Sequence, residues 1–271
     1  MTFIEKIDKK YRFAFNSVIM TAYVYVASII FSQESFYIRV AAGLVLLLVC
    51  TWVVHYPNVG ISKNGLFNYA MVFLLPSYLM GSTLLALKYY PNLSLAFKLA
   101  SVPIAVVMFY IVSIVDNIFL VVNQRAETIP LYRAAVPWSQ ILLVILAIPL
   151  FAGVFKIPVY SFYQVGFIAL LSTILTLYHI WSYRLEDNLV PIGVGGNILF
   201  SLFTGFVVFS LGISTSFTSG EAFLRGLVVS VGLMFGLFYA SSYLKNNINK
   251  KLIVEYFAII FGFIALYLLF Q

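Results

Sequence analysis

Charged residues are scarce in this chain, because Asp, Glu, Lys and Arg together make up only 9% of its 271 residues. Soluble proteins carry about a quarter of their residues as charges. Hydrophobic residues reach 63%, and the mean hydropathy is +1.03. So little charge excludes a soluble globule, and the composition predicts an integral membrane protein that crosses the bilayer several times.

Cysteine and acidic residues are also few. Cys50 is the only cysteine, which excludes an intramolecular disulfide and a metal site built from several thiolates. The nine acidic residues are scattered, and only Glu186 and Asp187 are adjacent. A magnesium-dependent site needs clustered carboxylates, so we expect no metal ion and no cofactor.

Long apolar runs dominate the chain. Runs of about 17 to 25 apolar residues match a hydrocarbon core roughly 30 Å thick, and they predict an all-α bundle of nine transmembrane helices. Residues 1–271 are expected to form a single transmembrane domain. The predicted helices cover residues 14–32, 37–55, 66–88, 98–123, 138–156, 161–183, 190–212, 222–244 and 252–270.

The basic residues indicate an orientation. The net charge of +7 is spread over short segments between the apolar runs, which excludes nucleic acid as a partner. One side of the membrane would carry eleven Lys and Arg and the other side five, which predicts a cytoplasmic amino terminus. The first group is Lys6, Lys9, Lys10, Arg12, Lys63, Arg125, Arg133, Arg184, Lys245, Lys250 and Lys251, and the second is Arg39, Lys88, Lys98, Lys156 and Arg225.

Asp116 is the only acidic residue inside a long apolar run. Helical spacing places a set of polar residues on the same side of this run, and we treat them as a candidate intramembrane polar site. A carboxylate in hydrocarbon is expensive unless it faces protein or water, so such a residue indicates a functional site. The alternative is that it only holds the bundle together through hydrogen bonds. The set is Ser113, Asp116, Asn117 and Asn123, with Tyr110 and Gln124 at its ends.

His179 joins the candidate polar site from the sixth predicted helix, where it shares a face with Ser172 and Thr176. The alternative is a hydrogen-bonded core histidine, since no second His or acidic residue stands at metal-ligand spacing. The other histidine, His55, is expected at the membrane interface. Arg125, Arg133 and Arg184 are candidate contacts for lipid head groups on the cytoplasmic side.

Small residues mark a helix-contact face on the eighth predicted helix. Gly232, Gly236 and Ala240 recur every four residues, the pattern that lets two helix backbones approach closely. This face could serve contacts within the chain, or contacts with a second copy or with another membrane protein. Membrane lipids are the other expected partners.

Two resemblances bear on function. Nine spans with an inside amino terminus resemble the architecture of UbiA-type prenyltransferases, but the aspartate motifs that bind metal in that family are missing from HYPNVGISKNG, and the later loop has only Glu186 and Asp187. The segment from Asn117 to Ala135 contains Asn117-Ile118-Phe119, Arg125, Thr128-Ile129-Pro130-Leu131 and Arg133-Ala134-Ala135. It resembles a recurrent segment of uncharacterised bacterial polytopic membrane proteins, which implies no particular activity.

Three functions remain open from the sequence. The favoured interpretation is a non-catalytic scaffold or assembly partner in a bacterial-type inner membrane, because helix-contact signals dominate. The second is a transporter or lipid-handling protein with its polar site around Asp116. The third is an enzyme acting on a lipid through cytoplasmic charges such as Arg184, Glu186 and Asp187. No residue is assigned a catalytic role.

Overall fold

A computed structural model describes residues 8–29, 36–56, 63–89, 95–125, 130–183, 189–218 and 220–270. These ranges contain nine α-helices, which confirms the predicted all-helical class. The helices are α1 (Lys9–Ile29), α2 (Phe36–His55), α3 (Lys63–Tyr89), α4 (Leu95–Arg125), α5 (Pro130–Phe155), α6 (Ser161–Tyr183), α7 (Val194–Ser216), α8 (Ala222–Leu244) and α9 (Lys250–Leu269).

Seven helices in the described ranges, α2 to α8, are long and apolar enough to cross a membrane. The chain therefore has the character of a multi-pass membrane protein. The apolar part of α9 is shorter, Ile253–Leu269. The first turn of α1 carries Lys9, Lys10 and Arg12, and this helix does not reach the same apolarity.

Four predicted boundaries were wrong by four residues or more: α1 begins at Lys9 instead of residue 14, α7 ends at Ser216 instead of residue 212, and the starts of α5 and α7 also differ. Helix α5 begins at Pro130 instead of residue 138, because proline suits the first position of a helix and the turns before Pro137 bury Tyr132 and Ala135. Helix α7 begins at Val194 instead of residue 190. Pro191 precedes it, and Gly193 caps the helix with an extended backbone.

The chain divides into two compact units, and the boundary falls within α5. The first unit is Met1–Ala135 and the second is Val136–Gln271. The prediction of one domain stays a prediction. In the first unit, α1 packs against α2, α3 and α4, and buries Met20, Val24 and Ala27. Helix α1 is thus a central element of this unit, although it is more polar than its neighbours.

The second unit is built around close contacts of α7 with α6 and α8. A Cβ atom added to Gly236 of α8 would lie 2.2 Å from Thr204 Cγ2 of α7, and one added to Gly232 would lie 2.6 Å from Leu211 Cδ1. Ala240 is buried on the same helix. The predicted small-residue face is therefore used within the chain. A homo-oligomer or other membrane-protein partner at Gly232, Gly236 and Ala240 stays a prediction.

Helix α9 runs back along α8 through aromatic contacts. The ring of Tyr256 lies 5.3 Å from that of Phe238 and 6.2 Å from that of Phe235. Near the other end of α9, Tyr267 hydrogen-bonds Thr218, which follows α7. The helix thus accompanies α8 over most of its length despite its shorter apolar stretch.

Candidate functional site

The polar side of α4 is buried around Asp116, the carboxylate that the sequence analysis identified. Asp116 is 0% exposed, and Ser113, one turn earlier, is also buried. Asn117 is half-buried beside them. The prediction that the Asp116 side chain faces protein instead of lipid is confirmed, and this burial agrees with the cost of a carboxylate in hydrocarbon.

Helix α1 provides the opposite side of this polar region. Asn16 Nδ2 donates to Ser113 Oγ at 3.2 Å, and Lys9 Nζ donates to Asn117 Oδ1 at 3.5 Å. Further along α1, Tyr25 shares a hydrogen bond with Ser101, near the other end of α4. The two helices are therefore antiparallel, and their hydrogen bonds extend from Ser101 to Asn117 of α4.

Sequence reasoning missed two buried polar residues of α1. Arg12 is 8% exposed and Asn16 is 5% exposed. Lys9, Arg12 and Asn16 are spaced by three and four residues, so they share one face of α1. This spacing is a signal that the sequence contains. The charges of Lys9 and Arg12 taken alone indicate only the orientation of the chain.

His55, expected at the membrane interface, is buried with only 2% of its surface exposed. Its ring lies 6.3 Å from that of Phe13 in α1, and Lys9 and Arg12 are close enough to act on it electrostatically. Helix α1 covers this end of α2, so the ring faces protein, and its depth in the membrane stays a prediction. Together, Lys9, Arg12, Asn16, His55, Ser113, Asp116 and Asn117 form what we call the α1–α2–α4 polar cluster.

Arg12 ties α1 to the end of α2. Its Nη1 atom donates to the carbonyl oxygen of Tyr56 at 2.6 Å and to that of Val53 at 3.4 Å. These carbonyls belong to the end of α2, where helix carbonyls lack partners within the helix and carry partial negative charge. The guanidinium thus helps to satisfy the carbonyl groups at the end of α2.

An apolar groove of about 850 Å³ lies between α1 and α2, and Arg12 and Asn16 form part of its lining. Its other walls are mostly apolar and include Phe15, Val18 and Val53. Arg12 lies where α1 begins and α2 ends, whereas Val18 lies farther along α1, and the surface that the groove presents is almost entirely apolar. Its volume falls in the range of small-molecule pockets.

Of the remaining predicted α4 and head-group residues, those that the structure describes do not join the polar cluster. Asn123 is half-buried about two turns closer to the end of α4, and among the described residues it makes no hydrogen bond. Arg133 is exposed on α5. The side chain of Arg125 and the whole of Arg184 lie outside the described residues, as do Glu127, Glu186 and Asp187.

His179 lies in the second unit and is buried in a hydrogen-bonded environment. Its Nε2 atom is 2.8 Å from Ser241 Oγ, and Ser241 Oγ donates to the carbonyl oxygen of Leu237 at 2.8 Å. Since the hydroxyl hydrogen is used on Leu237, Ser241 accepts from a hydrogen on Nε2. The geometry therefore favours the core-histidine interpretation, in which His179 joins α6 to α8.

The polar cluster contains two cations, Lys9 and Arg12, and one carboxylate, Asp116, so its formal balance is positive. Within the part of the chain that the structure describes, no group of three or more His, Cys, Asp or Glu side chains could hold a metal ion. A positive cluster beside an apolar groove can bind an anionic group that carries a hydrophobic tail. Comparisons with protein-family models, curated proteins and solved structures find no match to this chain.

Proposed function

We propose that this multi-pass membrane protein is a lipid-handling protein that binds one bilayer lipid in its first unit. The observation that carries the proposal is the groove between α1 and α2, whose apolar walls lead to Arg12 and Asn16. A lipid has the matching division into an apolar tail and a polar head. This role develops the alternative that placed a polar site around Asp116, because Asn16 joins the groove to Ser113, one turn from Asp116.

The groove also distinguishes this role from the other two. A pure scaffold predicts a bundle without a cavity, so the groove favours lipid handling over the scaffold that the sequence suggested. A lipid-modifying enzyme would depend on Arg184, Glu186 and Asp187, which lie outside the described residues. Lipid handling is therefore the function with a described site.

The proposal includes nine membrane spans with the amino terminus on the cytoplasmic side of a bacterial-type cell membrane. Support for α1 as a span comes from its contacts with α4, which run from Lys9 and Asn117 to Tyr25 and Ser101. Helix α9 accompanies α8 in the same way. If α1 did not cross, Lys6, Lys9, Lys10 and Arg12 would move to the other side, and the charge asymmetry would change from eleven against five to seven against nine.

The lipid site is tested by filling the groove. Ala14 lines the groove and is exposed, so Ala14→Trp should occupy the space without disturbing the core. The matched control is Ala22→Trp, an equally large change at an exposed position of α1 outside the groove. We expect native mass spectrometry of purified protein to show several-fold less bound lipid for Ala14→Trp only. Equal retention by both variants would contradict the proposal.

The span number is tested with two reporters. One reporter follows Gln271, and the other is inserted between Asn246 and Asn249. We expect the first to be accessible from outside the cell and the second to be protected. Nine spans from a cytoplasmic amino terminus place Gln271 outside, whereas the segment before α9 stays inside. Finding both reporters on one side would remove α9 as a span.

A further inference from the structure

Two side chains at the proposed lipid site have polar atoms without a hydrogen-bond partner, and these atoms specify the head group that would bind. Arg12 Nε is buried and has no hydrogen-bond partner among the described residues. Its described partners are the carbonyl oxygens of Val53 and Tyr56, which are neutral. Carbonyls satisfy donors but do not neutralise a positive charge, and a buried unpaired charge is costly. An anionic oxygen in the groove would supply both the missing partner and the missing charge.

Asn16 has the opposite requirement. Its Nδ2 donates to Ser113 Oγ, whose own hydrogen goes to the carbonyl oxygen of Phe109 at 2.9 Å. A flipped amide would place Oδ1 against a hydroxyl that has no hydrogen to offer, so the observed orientation is the favourable one. Oδ1 then has no donor within the described part of the chain. Asn16 therefore needs a hydrogen-bond donor from a ligand.

The two requirements lie one helical turn apart and border the same groove. Side chains four residues apart on a helix are about 6 Å apart at their Cβ atoms, which is a distance that one polar head group can span. Each unpartnered atom is covered although its residue lines the groove, so a change of side-chain rotamer must accompany binding. Arg12 also lies near the start of α1, which places the head group near one membrane face and the acyl chain towards the bilayer centre.

From this geometry we infer that the site selects an anionic phospholipid whose head group carries a hydroxyl, such as a phosphoglycerol diester. The phosphate oxygen accepts from Arg12, the hydroxyl donates to Asn16, and one acyl chain lies along Val18, Val49 and Val53. A choline head group offers no hydrogen-bond donor to Asn16, and its ammonium cancels the charge of its phosphate, so it leaves Asn16 unsatisfied and supplies no net negative charge to the cluster. This inference rests on the lipid site proposed above.

The test uses the full-length protein in detergent with three dioleoyl lipids offered at equal concentration. Phosphatidylglycerol has the charge and the hydroxyl, phosphatidylmethanol has the charge alone, and phosphatidylcholine has neither. Native mass spectrometry should show phosphatidylglycerol retained most and phosphatidylcholine least. We expect a ratio of about fivefold for the charge and a smaller factor for the hydroxyl. Glycerol 3-phosphate should not displace the bound lipid, and displacement would show a site for a free anion instead.

Variants assign the two preferences to their residues. Arg12→Gln should abolish the preference for charged lipid, whereas Lys250→Gln, which removes an exposed charge at the start of α9, should leave it intact. Asn16→Leu should abolish the preference of phosphatidylglycerol over phosphatidylmethanol and keep the preference for charge. If a variant fails to fold, the ranking of the three lipids on the unaltered protein still decides the matter.

Two failures are distinguishable. Equal retention of all three lipids, combined with loss of lipid in Ala14→Trp, would overturn the head-group inference and leave the lipid site standing. Retention that Ala14→Trp does not reduce would overturn the lipid site itself.

Discussion

Two antiparallel helix pairs in this protein are joined by different means. In the first unit, α1 and α4 are linked by polar side chains, namely Asn16 with Ser113, Lys9 with Asn117 and Tyr25 with Ser101. In the second unit, α7 and α8 approach through glycines, with Gly236 against Thr204. Apolar burial does not drive helices together inside a bilayer, so close packing and polar bonds are the available means. Each pair relies mainly on one of them.

The two helix pairs also differ in whether they can accept a ligand and exchange hydrogen-bond partners. Close packing at a glycine leaves no space for a ligand, whereas a polar interface with unpartnered atoms beside a groove can exchange partners. The candidate site, the α1–α2–α4 polar cluster, includes this polar interface. Three substitutions test the comparison.

The largest effect is expected from Gly236→Val in the α7–α8 pair. A Cβ atom at this position would lie 2.7 Å from Thr204 Cβ, which side-chain rotation cannot move away, so the helices must separate. We expect a loss of about 3 kcal/mol in unfolding free energy, measured by thermal unfolding in detergent. Gly262→Val in α9, where an added Cβ meets nothing within 4 Å, is the control. Equal stability of the two variants would show that the pair does not depend on close packing.

A smaller loss is expected from Asp116→Leu in the α1–α4 pair. Leucine removes an acceptor from a fully buried position and takes the only carboxylate from the polar cluster, at a cost of about 2 kcal/mol. Asp116→Asn keeps most hydrogen bonds and should unfold at nearly the normal temperature. Stability that is unaffected by Leu would contradict a polar origin of this pair. Normal stability of Asp116→Asn with altered lipid retention would assign the carboxylate a functional role.

The smallest effect concerns one hydrogen bond, between Asn16 and Ser113. A double-mutant cycle of Asn16→Ala and Ser113→Ala should give a coupling of about 0.6 kcal/mol, the average for such pairs in membranes. Ser101 provides the control cycle with Asn16, because its partner Tyr25 is nine residues farther along α1, about 13.5 Å. Coupling of equal size in both cycles would indicate a general change in helix packing rather than this bond.

The sequence predicted the helices well where apolar runs were unbroken. Both α6 and α8 have the predicted bounds, 161–183 and 222–244. The start of α5 was missed because a search for apolar runs stops at Arg133, whereas the helix continues through it to Pro130. Orientation, the number of spans and the head-group contacts at Arg125, Arg133 and Arg184 stay predictions.

The candidate site was predicted in part. Asp116, Ser113 and Asn117 were identified because polar residues in an apolar run are conspicuous by themselves. Arg12 and Asn16 were not, because they lie near a charged helix start where polar residues are ordinary. His55 and His179 could not be distinguished from interfacial or ligand residues by sequence, since the outcome depends on which helix covers each ring.

Composition and run length by themselves determined that this is a helical membrane protein with buried polar residues in α4. These properties depend on each residue's transfer from water to hydrocarbon, which is local and adds along the chain. Tertiary structure decided that α1 lies beside α4, that Arg12 reaches the end of α2, and that a groove opens beside both. Such contacts depend on the rotation and axial position of each helix in the bundle, which are set by packing against neighbouring helices.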